Sequence, residues 1–538
     1  MTPAAPEPCT PEERDILARY FTDVDGDVFA LVSLPDVVKG ALFSRYSRSP
    51  KSLRRLFLDE FYDPSLDAGS ANAVGLQRAE EFYERVLVEY GDDSVAQLVG
   101  AHVAVENASN VLTKVLEWGR LMSYLEQSTR YIPYNDRPNG RWRYHTPAEL
   151  HASPLRQRFE AAMDLCFETY SRWFEPVQEM LRERFPKDPR DTKFVYRQSI
   201  RAKACDILRG LLPAATTANV GLFGSAQAFE ALLLRLQAHP IAEARAAGDA
   251  ILRELRKVIP VFMRRIDQPE RGLAWSGYVR DTAADTRALA DSLDLRPATL
   301  SDGPSVRLTD FDPDGETKVI AAALYPHARA GDASLLDAVR AMPPDTRERV
   351  MRAYVGERTN RRHRPGRAFE RTSYRFDVVS DYGAFRDLQR HRMLTLDWQP
   401  LSPSLGYETP DEVRDVGATA DWDAVMAATA SLYQAITDAG MEEVAPYAVP
   451  MAYRIRYYMQ MNAREAMHLI ELRTSLQGHP AYRWVGREML RLIDEQAGHH
   501  AIAGAMRFVG ADDRAPGLER LAAERASEAK RNAVGAGG

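Results

Sequence analysis

Residues 118–134, WGRLMSYLEQSTRYIPY, concentrate into one short stretch the groups that hold anions. Guanidiniums supply positive charge and hydroxyls supply hydrogen bonds. The stretch contains two arginines, a carboxylate and two serines, namely Arg120, Arg130, Glu126, Ser123 and Ser128. Nearly all residues between 125 and 132 are polar, so this part buries little apolar area. The composition indicates an anion-binding loop, although a solvated charged loop after a helix fits it as well.

A second stretch, MNAREAMHLIELR, places polar groups along a largely apolar helix. Residues 464, 468 and 472 share one helical face, and residues 462 and 473 flank it. Two guanidiniums and an amide on one helix can grip a diphosphate or the edge of a pyrimidine ring. Because the other positions are mostly Met, Leu and Ile, we expect the polar residues to face a cavity. An exposed helix with ordinary arginines is the alternative.

The first stretch closely resembles the signature of the flavin-dependent thymidylate synthases. That family carries Arg-His-Arg, then seven residues and a Ser, usually within S-x-N-E-x-S-x-R-Y. Five residues fall on these positions, namely Ser123, Glu126, Ser128, Arg130 and Tyr131. The Arg-His-Arg place is taken by Trp118-Gly119-Arg120, so only its last arginine is kept.

The complementary half of the signature lies in the second half of the chain. Arg390-His391-Arg392 keeps the triplet, but Pro400 stands where the Ser belongs. Asn462-Ala463-Arg464 and Arg473 match a second family block, in which His468 replaces an Asn- or Gln-like group. In the first half, Ser225-Ala226-Gln227 takes the Asn-Ala-Arg place. A third block is eroded in both halves, with Gly91, Asp92, Ser94, Gln97 and Leu98 in one and Phe369-Glu370 in the other.

The resemblance implies a role for each matching residue. Arg130 and Arg209 are expected to hold the dUMP phosphate, with Glu126 and Ser128 also binding substrate. Arg473 is expected to polarise a pyrimidine carbonyl. Arg473 and Ser128 are therefore the catalytic candidates, without Ser128 being a nucleophile. The cofactor-binding candidates are Arg390, His391, Arg392, Asn462, Arg464 and His468. No metal ligands are assigned.

The implied reaction is the reductive methylation of dUMP to dTMP. Methylenetetrahydrofolate would give the carbon, reduced FAD would carry the electrons and NADPH would reduce the flavin. Two alternatives stay open because each copy of the motif is incomplete. One is a pseudoenzyme that keeps a nucleotide or flavin pocket without turnover. The other is a related flavoenzyme acting on another pyrimidine nucleotide.

Composition indicates an ordinary soluble globular chain of two to four domains. The 538 residues are 45% hydrophobic and 27% charged, with a net charge of −6. This charge gives no general attraction to nucleic acid or membranes, so we expect neither as a partner. No apolar run approaches the roughly 20 residues of a spanning helix, and the N-terminus does not have the pattern of a signal peptide.

The three cysteines, Cys9, Cys166 and Cys205, have no metal or disulfide spacing and suit a reducing cytoplasm. Cys205 lies among apolar neighbours, which favours a buried inert thiol over a nucleophile.

The second half of the chain repeats the sequence pattern of the first. SVRLTDFDPDGETKVIAAALY echoes VFALVSLPDVVKGALFSRY, and the pentad LQGHP echoes LQAHP. A long internal repeat predicts tandem copies of one α+β fold, which the resemblance describes as helices around a mostly antiparallel sheet. The predicted ranges are a loose N-terminus at 1–26, repeats at 27–295 and 305–511, a linker at 296–304 and a tail at 512–538.

Several local expectations follow from this organisation. Residues 28–34 are predicted as a strand, residues 73–90 as an amphipathic helix and residues 214–239 as a core helix. The helical pattern breaks from residue 268. Because the family assembles as a homotetramer with shared sites, the implied assembly is a homodimer forming a pseudo-tetramer.

Overall fold

The computed structural model describes residues 9–47, 49–62, 97–293, 295, 303–510, 517, 518, 521 and 525. Several predictions therefore lie outside the described residues. These are the helix at 73–90, most of the linker and tail, and the positions of Gly91, Asp92 and Ser94.

Eighteen α-helices occur in the described parts of the chain, besides short 3-10 and π turns: α1 (Pro11–Tyr20), α2 (Asp36–Tyr46), α3 (Leu53–Leu56), α4 (Asn110–Leu116), α5 (Arg156–Arg184), α6 (Lys193–Leu208), α7 (Ala226–Ala238), α8 (Ala242–Val258), α9 (Ala274–Ser292), α10 (Gly315–Leu324), α11 (Asp332–Ala341), α12 (Pro344–Val355), α13 (Tyr382–Leu388), α14 (Asp411–Asp415), α15 (Thr419–Asp438), α16 (Ala463–Arg473), α17 (Pro480–Glu495) and α18 (His500–Gly504). The strands described are β1 (Gly100–Ser109), β2 (Met122–Glu126), β3 (Thr217–Ser225), β4 (Ser305–Phe311), β5 (Ser373–Asp381), β6 (Thr395–Trp398) and β7 (Arg454–Asn462).

The two halves of the chain build sheets of the same strand order. The first sheet is ordered β1-β3-β2 and the second β4-β5-β7-β6, so β5, β7 and β6 correspond to β1, β3 and β2. The connections also correspond, with β1–α4–β2 matching β5–α13–β6 and β3–α7 matching β7–α16. All pairings of the second sheet are antiparallel. The predicted α+β class with two tandem copies is confirmed.

Three local predictions were wrong. Residues 214–239 are not one helix, because residues 217–225 alternate in burial as β3 before α7 begins. Residues 28–34 form only the isolated bridge Phe21–Leu31, and Val28 is 89% exposed, so no apolar face stabilises a strand. Beyond residue 268 the helical pattern does not end, because the chain forms α9, most of whose residues are exposed.

The chain divides into two compact units that do not follow the repeats. Unit 1 comprises residues 1–106, 119–125 and 220–295, and unit 2 comprises residues 107–118, 126–219 and 296–538. In unit 1, α7 packs against α8 and α9 through residues such as Phe229 and Leu233. In unit 2, one continuous core surrounds β5 and β7 and includes Tyr374, Tyr457 and Trp422. The predicted ranges 27–295 and 305–511 remain our proposal for the two repeats.

Within unit 2, equivalent segments of the two repeats pair with each other. Pro213 and Pro450 form an antiparallel bridge, and the flanking residues exchange backbone hydrogen bonds. Ala214 N donates to Val449 O at 2.8 Å, and Met451 N donates to Leu212 O at 2.9 Å. This near-symmetric pairing joins the backbones of the two repeats within unit 2.

None of the described helices combines the length and apolar character that crossing a bilayer requires.

Candidate functional site

Two short helices with matching caps begin the site in unit 2. Ser109 caps α4 by accepting from Leu112 N (3.0 Å), and Asp381 caps α13 by accepting from Ala384 N (2.9 Å). Lys114 and Arg386 each lie five residues after their cap (114 − 109 and 386 − 381). The repeat therefore places a cation at the same position of both helices.

Both cations converge on Glu126, the last residue of β2. Arg386 Nη2 donates to Glu126 Oε1 at 2.7 Å, Lys114 Nζ lies 3.5 Å from Oε2, and Arg390 Nη1 lies 3.8 Å from Oε2. Burial opposes the charge of Glu126, but Arg386, Lys114 and Arg390 outweigh it and lower the pKa of this carboxyl to about 2. Glu126 is therefore an ionised anchor between the two repeats.

Arg130 is held by a carboxylate that the sequence did not reveal. Its Nε and Nη2 donate to both oxygens of Asp206 at 2.7 Å, and its Nη1 donates to Tyr482 Oη at 2.7 Å. Nη2 also donates to Gln477 O at 3.1 Å. Because this pairing neutralises the guanidinium and uses most of its donors, Arg130 needs to exchange partners before it can hold a phosphate.

Ser128 lies in the turn just before Arg130. Its Oγ accepts from Arg130 N at 3.2 Å and so stabilises the turn. Arg120, from the same motif, is exposed and belongs to unit 1.

Asp387 is the carboxylate around which the arginines of the site gather. Arg390 Nη2 donates to its Oδ1, and Arg209 Nη1 donates to its Oδ2 at 3.4 Å. Burial disfavours its charge, but Arg390, Arg209, Arg473 and Arg130 together hold the pKa of Asp387 far below its usual range. We call Arg130, Arg209, Arg390 and Arg473, with Asp387, the arginine cluster.

Arg473 retains more donor capacity than Arg130. Its Nε donates to His391 Nε2 at 2.9 Å, and we find no hydrogen bond from its Nη atoms to any described residue. The Cζ atoms of Arg473 and Arg130 each lie 5.7 Å from the centroid of the Tyr482 ring. Residues 343 positions apart (473 − 130) are therefore brought to one aromatic ring.

His391, Glu465 and His468 offer ligand atoms within 4.8 Å of one another, which is the spacing of a metal site. The arginines around them argue against a metal. Metal-bound imidazoles donate from their second nitrogen to an acceptor. Here an arginine donates to one nitrogen of each ring instead. His391 Nε2 accepts from Arg473, and His468 Nδ1 accepts from Arg364 Nη2 at 3.0 Å. Burial also lowers the pKa of His468 to about 4, so this imidazole is neutral.

Two further predicted cofactor residues, Asn462 and Arg464, lie at the start of α16. Asn462 caps the helix, since its Oδ1 accepts from Glu465 N at 2.9 Å. Arg464 donates from Nε to Pro365 O (3.1 Å) and from Nη1 to Glu370 Oε1 (3.3 Å). Arg392 is exposed. Pairing of β5 with β7 sets this geometry, because it places Ser373 opposite Asn462.

The corresponding helix of the first repeat lacks these groups. Ser225 caps α7 as Asn462 caps α16, and counting from the caps places Ala228, Ala231 and Leu236 at the positions of Glu465, His468 and Arg473. Trp118 also replaces an arginine. Its Nε1 donates to Leu396 O at 2.9 Å, and its ring meets Trp398 edge to face. Aromatic packing here replaces a charge.

Cys205 has no features of a nucleophile. It is fully buried, and burial raises the pKa of its thiol to about 12.

Sequence reasoning missed several residues of the site, namely Lys114, Asp206, Arg386, Asp387, Glu465 and Tyr482. A usable signal existed for Arg386 and Asp387, since they are charged residues in an otherwise apolar helix directly before the Arg-His-Arg triplet. Asp206, within the apolar run CDIL, carries the same signal.

The fold and the site define a tandem-repeat α+β protein with a buried cluster of arginines and carboxylates in unit 2. The model of the thymidylate synthase complementing protein family matches residues 50–261 and again residues 307–497. The chain belongs to this flavin-dependent thymidylate synthase family, as a tandem duplication.

Two relatives match this chain over most of their own length. A UPF0159 protein of Chlamydia pneumoniae is 39% identical over 494 residues, covering 90% of this chain and 93% of its own. A UPF0159 protein of Thermoplasma acidophilum is 33% identical over 521 residues, covering 90% of this chain and 97% of its own. Among solved structures, the UMP/dUMP methylase PolB from Streptomyces cacaoi, bound with 5-Br dUMP, is 19% identical. It covers 38% of this chain and 96% of its own length, with a TM-score of 0.30.

Proposed function

We propose that the protein is an FAD-dependent thymidylate synthase-like enzyme that methylates dUMP reductively to dTMP, with methylenetetrahydrofolate and NADPH as co-substrates. Family membership supports the reaction class. The observation that carries the proposal is the approach of Arg130 and Arg473, one from each repeat, to the Tyr482 ring. Beside them, Arg209 and Arg390 bind the same carboxylate, Asp387.

Arg130 and Arg209 are the proposed phosphate ligands. A phosphate dianion would compete with Asp206 and Asp387 for their guanidiniums, and bidentate arginine contacts suit it. Ser128, whose Oγ contacts Arg130 N, and Glu126, four residues before Arg130 in the chain, would complete the nucleotide site. Arg473 would donate from its Nη atoms to a pyrimidine carbonyl and stabilise negative charge as it develops on the ring.

The cluster around α16 fits the charge of a flavin diphosphate. Arg361 Nη1 is buried with no hydrogen-bond partner in the described part of the chain, and Arg364 lies beside it near His468. With Arg390, Arg392, Asn462, Arg464 and His391, these residues would hold FAD, which supplies electron transfer when bound. The proposed location in the cell is the cytoplasm, and the proposed assembly is a homodimer forming a pseudo-tetramer.

A second candidate function is nucleotide or flavin binding without turnover. It is favoured by the carboxylates that already pair with Arg130 and Arg464, which are Asp206 and Glu370. A flavoenzyme acting on another pyrimidine nucleotide is the third reading.

The test is dTMP formation by the purified chain with dUMP, methylenetetrahydrofolate, FAD and NADPH. We expect turnover, and we expect Arg473→Ala to lower kcat at least about a hundredfold, because one donor to a developing oxyanion is worth about 2.7–4 kcal/mol. Arg491→Ala is the matched control, since among the described residues Arg491 pairs with Glu488 and Glu495 on the surface of α17, away from the arginine cluster.

Binding of dUMP without dTMP formation would select the second candidate. Turnover of a different pyrimidine nucleotide alone would select the third.

A further inference from the structure

His391 is buried in unit 2 between Arg473 and Glu465, and each of its ring nitrogens meets one of these side chains. Arg473 Nε donates to His391 Nε2 at 2.9 Å, and His391 Nδ1 lies 3.1 Å from Glu465 Oε1. A guanidinium can only donate, so Nε2 carries no proton. Burial and the charge of Arg473 hold the pKa of His391 well below its usual value, so the ring is neutral. The proton is therefore on Nδ1 and is donated to Glu465.

The imidazole links two groups that their own helix keeps apart. Glu465 and Arg473 lie eight residues apart on α16 (473 − 465), which is about 12 Å along a helix axis. Glu465 is fixed at the first turn, because its backbone N donates to the cap Asn462 at 2.9 Å. His391 comes from the segment after α13 and joins the two ends. We call Arg473, His391 and Glu465 the triad.

The triad fixes one edge of the Arg473 guanidinium and leaves the other edge available. The Tyr482 ring, with its centroid 5.7 Å from Arg473 Cζ, lies beside the same guanidinium. We find no hydrogen bond from the Nη atoms to any described residue, and Arg473 is only half-buried. A ligand can therefore reach the Nη donors. Their direction depends on the bond between Nε and His391.

The first repeat lacks all three members of the triad. Gly119 takes the place of His391, and counting from the helix caps puts Ala228 and Leu236 at the places of Glu465 and Arg473. The cap itself is retained in both repeats. The repeated fold therefore needs the cap but not the triad. Joint replacement by residues without polar side chains indicates that the three groups act as a unit.

We propose that His391 and Glu465 are positioning residues for Arg473. The carboxylate selects the Nδ1–H tautomer of the imidazole, and the imidazole then accepts from Arg473 Nε and orients its Nη donors. Without an acceptor at residue 465 the Nε2–H tautomer becomes available, and this tautomer cannot accept from Arg473. The inference rests on the proposed function for the reaction that Arg473 serves, whereas the two hydrogen bonds can be measured without any ligand.

Nitrogen-15 NMR of the full chain reads the triad in the absence of substrate. His391→Leu identifies the signals of the His391 ring, and Arg473→Lys identifies the Nε–H of Arg473. We expect a protonated Nδ1 in the native chain and in Glu465→Gln, whose amide oxygen still accepts. Glu465→Leu has no acceptor. It is expected to populate the Nε2–H tautomer and to speed exchange of the Arg473 Nε–H with water at least about tenfold.

The rate of dTMP formation tests the effect on the reaction. Glu465→Leu is expected to lower kcat at least about tenfold and to change KM for dUMP less than about threefold, because Arg473 acts on charge that develops in the transition state. Glu465→Gln should keep kcat within about threefold of the native value. The control is Glu488→Leu, at a half-buried position of α17, which should change neither constant.

A double-variant comparison separates positioning from a general structural role. If Glu465 acts through Arg473, Glu465→Leu should change kcat less than about twofold once Arg473→Ala is present, because groups that act as a unit are not additive. Should Glu465→Leu unfold the protein, His391→Leu is expected to give the same loss of kcat and the same lack of additivity, and it decides in its place.

The proposal is overturned if native His391 carries its proton on Nε2, if Glu465→Leu changes neither the exchange of the Arg473 Nε–H nor kcat, or if Glu465→Leu and Arg473→Ala act additively. It is also overturned if equimolar Zn²⁺ shifts the ring nitrogens of His391 and His468 together, since these residues would then be metal ligands. A chain that forms no dTMP but shows the expected tautomer and exchange retains the triad and loses only the proposed reaction.

Discussion

At the scale of single residues, the balance of buried charge decides what the arginine cluster can bind. Four guanidiniums gather around Asp387. Asp206 accepts from both Nε and Nη2 of Arg130. A carboxylate thus occupies the centre to which a phosphate would be drawn. The number of arginines therefore does not give the strength of this site for anions. The carboxylates paired with them determine how much positive charge a phosphate would meet.

We predict that Asp387→Asn raises the affinity for dUMP at least about tenfold. A unit charge at 4 Å contributes about 4 kcal/mol at an effective dielectric constant of 20, and part of this is offset by the looser hold on Arg390. Calorimetric titration with dUMP measures the change, and Asp377→Asn on β5 is the control. Weaker binding by Asp387→Asn would show that the carboxylate positions the arginines rather than competing with the phosphate.

Glu465 gives a prediction about pH. Burial raises the pKa of Glu465 to about 7 from 4.5, despite Arg364, Arg464 and Arg392 nearby. A carboxyl with a raised folded-state pKa contributes stability below its unfolded pKa and loses it as pH rises through the folded value. We therefore expect Glu465→Gln to stabilise the protein at pH 8, by about 1–3 kcal/mol, and to have little effect near pH 4.5.

Calorimetric melting from pH 5 to 9 checks this expectation, with Glu488→Gln, at a half-buried position of α17, as control. A stabilisation that is independent of pH would contradict the assigned titration.

At the scale of elements, caps at the strand-to-helix junctions position the site. Ser109, Asp381, Ser225 and Asn462 each end a strand and accept from the backbone N–H three residues on. The same junction therefore occurs twice in each repeat. Because the cap sets where the helix begins, it also sets which side chains meet the pocket.

We predict that Asn462→Ala lowers the free energy of unfolding by about 1 kcal/mol, as loss of a cap does, and also weakens flavin binding. Ser225→Ala, the equivalent change on α7, should cost a similar free energy without affecting flavin. Chemical denaturation and flavin titration measure the two effects. Equal loss of flavin in both variants would contradict the assignment of the cofactor site to α16.

At the scale of the whole molecule, the proposed site is divided between the two repeats. Glu126, Arg130 and Arg209 come from the first repeat, and Arg390, His391 and Arg473 from the second, yet all six lie in unit 2. The pairing of Pro213 with Pro450 is the backbone link that holds the two sets. Because both repeats belong to one chain, each molecule always contains one copy of either set of residues. Separate subunits would have to assemble symmetrically to achieve the same.

We predict at most one FAD per chain. The second repeat has Arg390, Arg392, Asn462 and Arg464 at the flavin-binding positions of the family, whereas the first repeat has Trp118 and Gln227 in place of two of these arginines. A diphosphate in the first repeat would lose two charge-assisted contacts of roughly 1.5–3 kcal/mol each. Flavin absorbance per mole of chain, titrated with FAD, measures the ratio, and Arg392→Ala combined with Arg464→Ala should abolish binding. Saturation near two per chain would show that the first repeat still binds FAD.

Much of this protein was determined by sequence alone. The spacing of Glu126, Ser128 and Arg130, the intact triplet at 390–392 and the Asn-Ala-Arg block identified the family and its duplication, because a motif records chemistry that any copy of the fold must retain. Alternation of burial along β7 follows directly from local pattern. Even the equivalence of Ser225 with Asn462 was readable by counting from Pro213 and Pro450.

Tertiary structure alone decided the partners of those residues. Asp206, Asp387 and Tyr482 are far from Arg130 in the chain or belong to the other repeat, so no local pattern could pair them. Residues 214–239 were misread for a similar reason, since pairing in a sheet, rather than propensity, makes Thr217–Ser225 a strand. Charge compensation and strand pairing are both properties of contacts between distant segments, and such contacts exist only once the chain has folded.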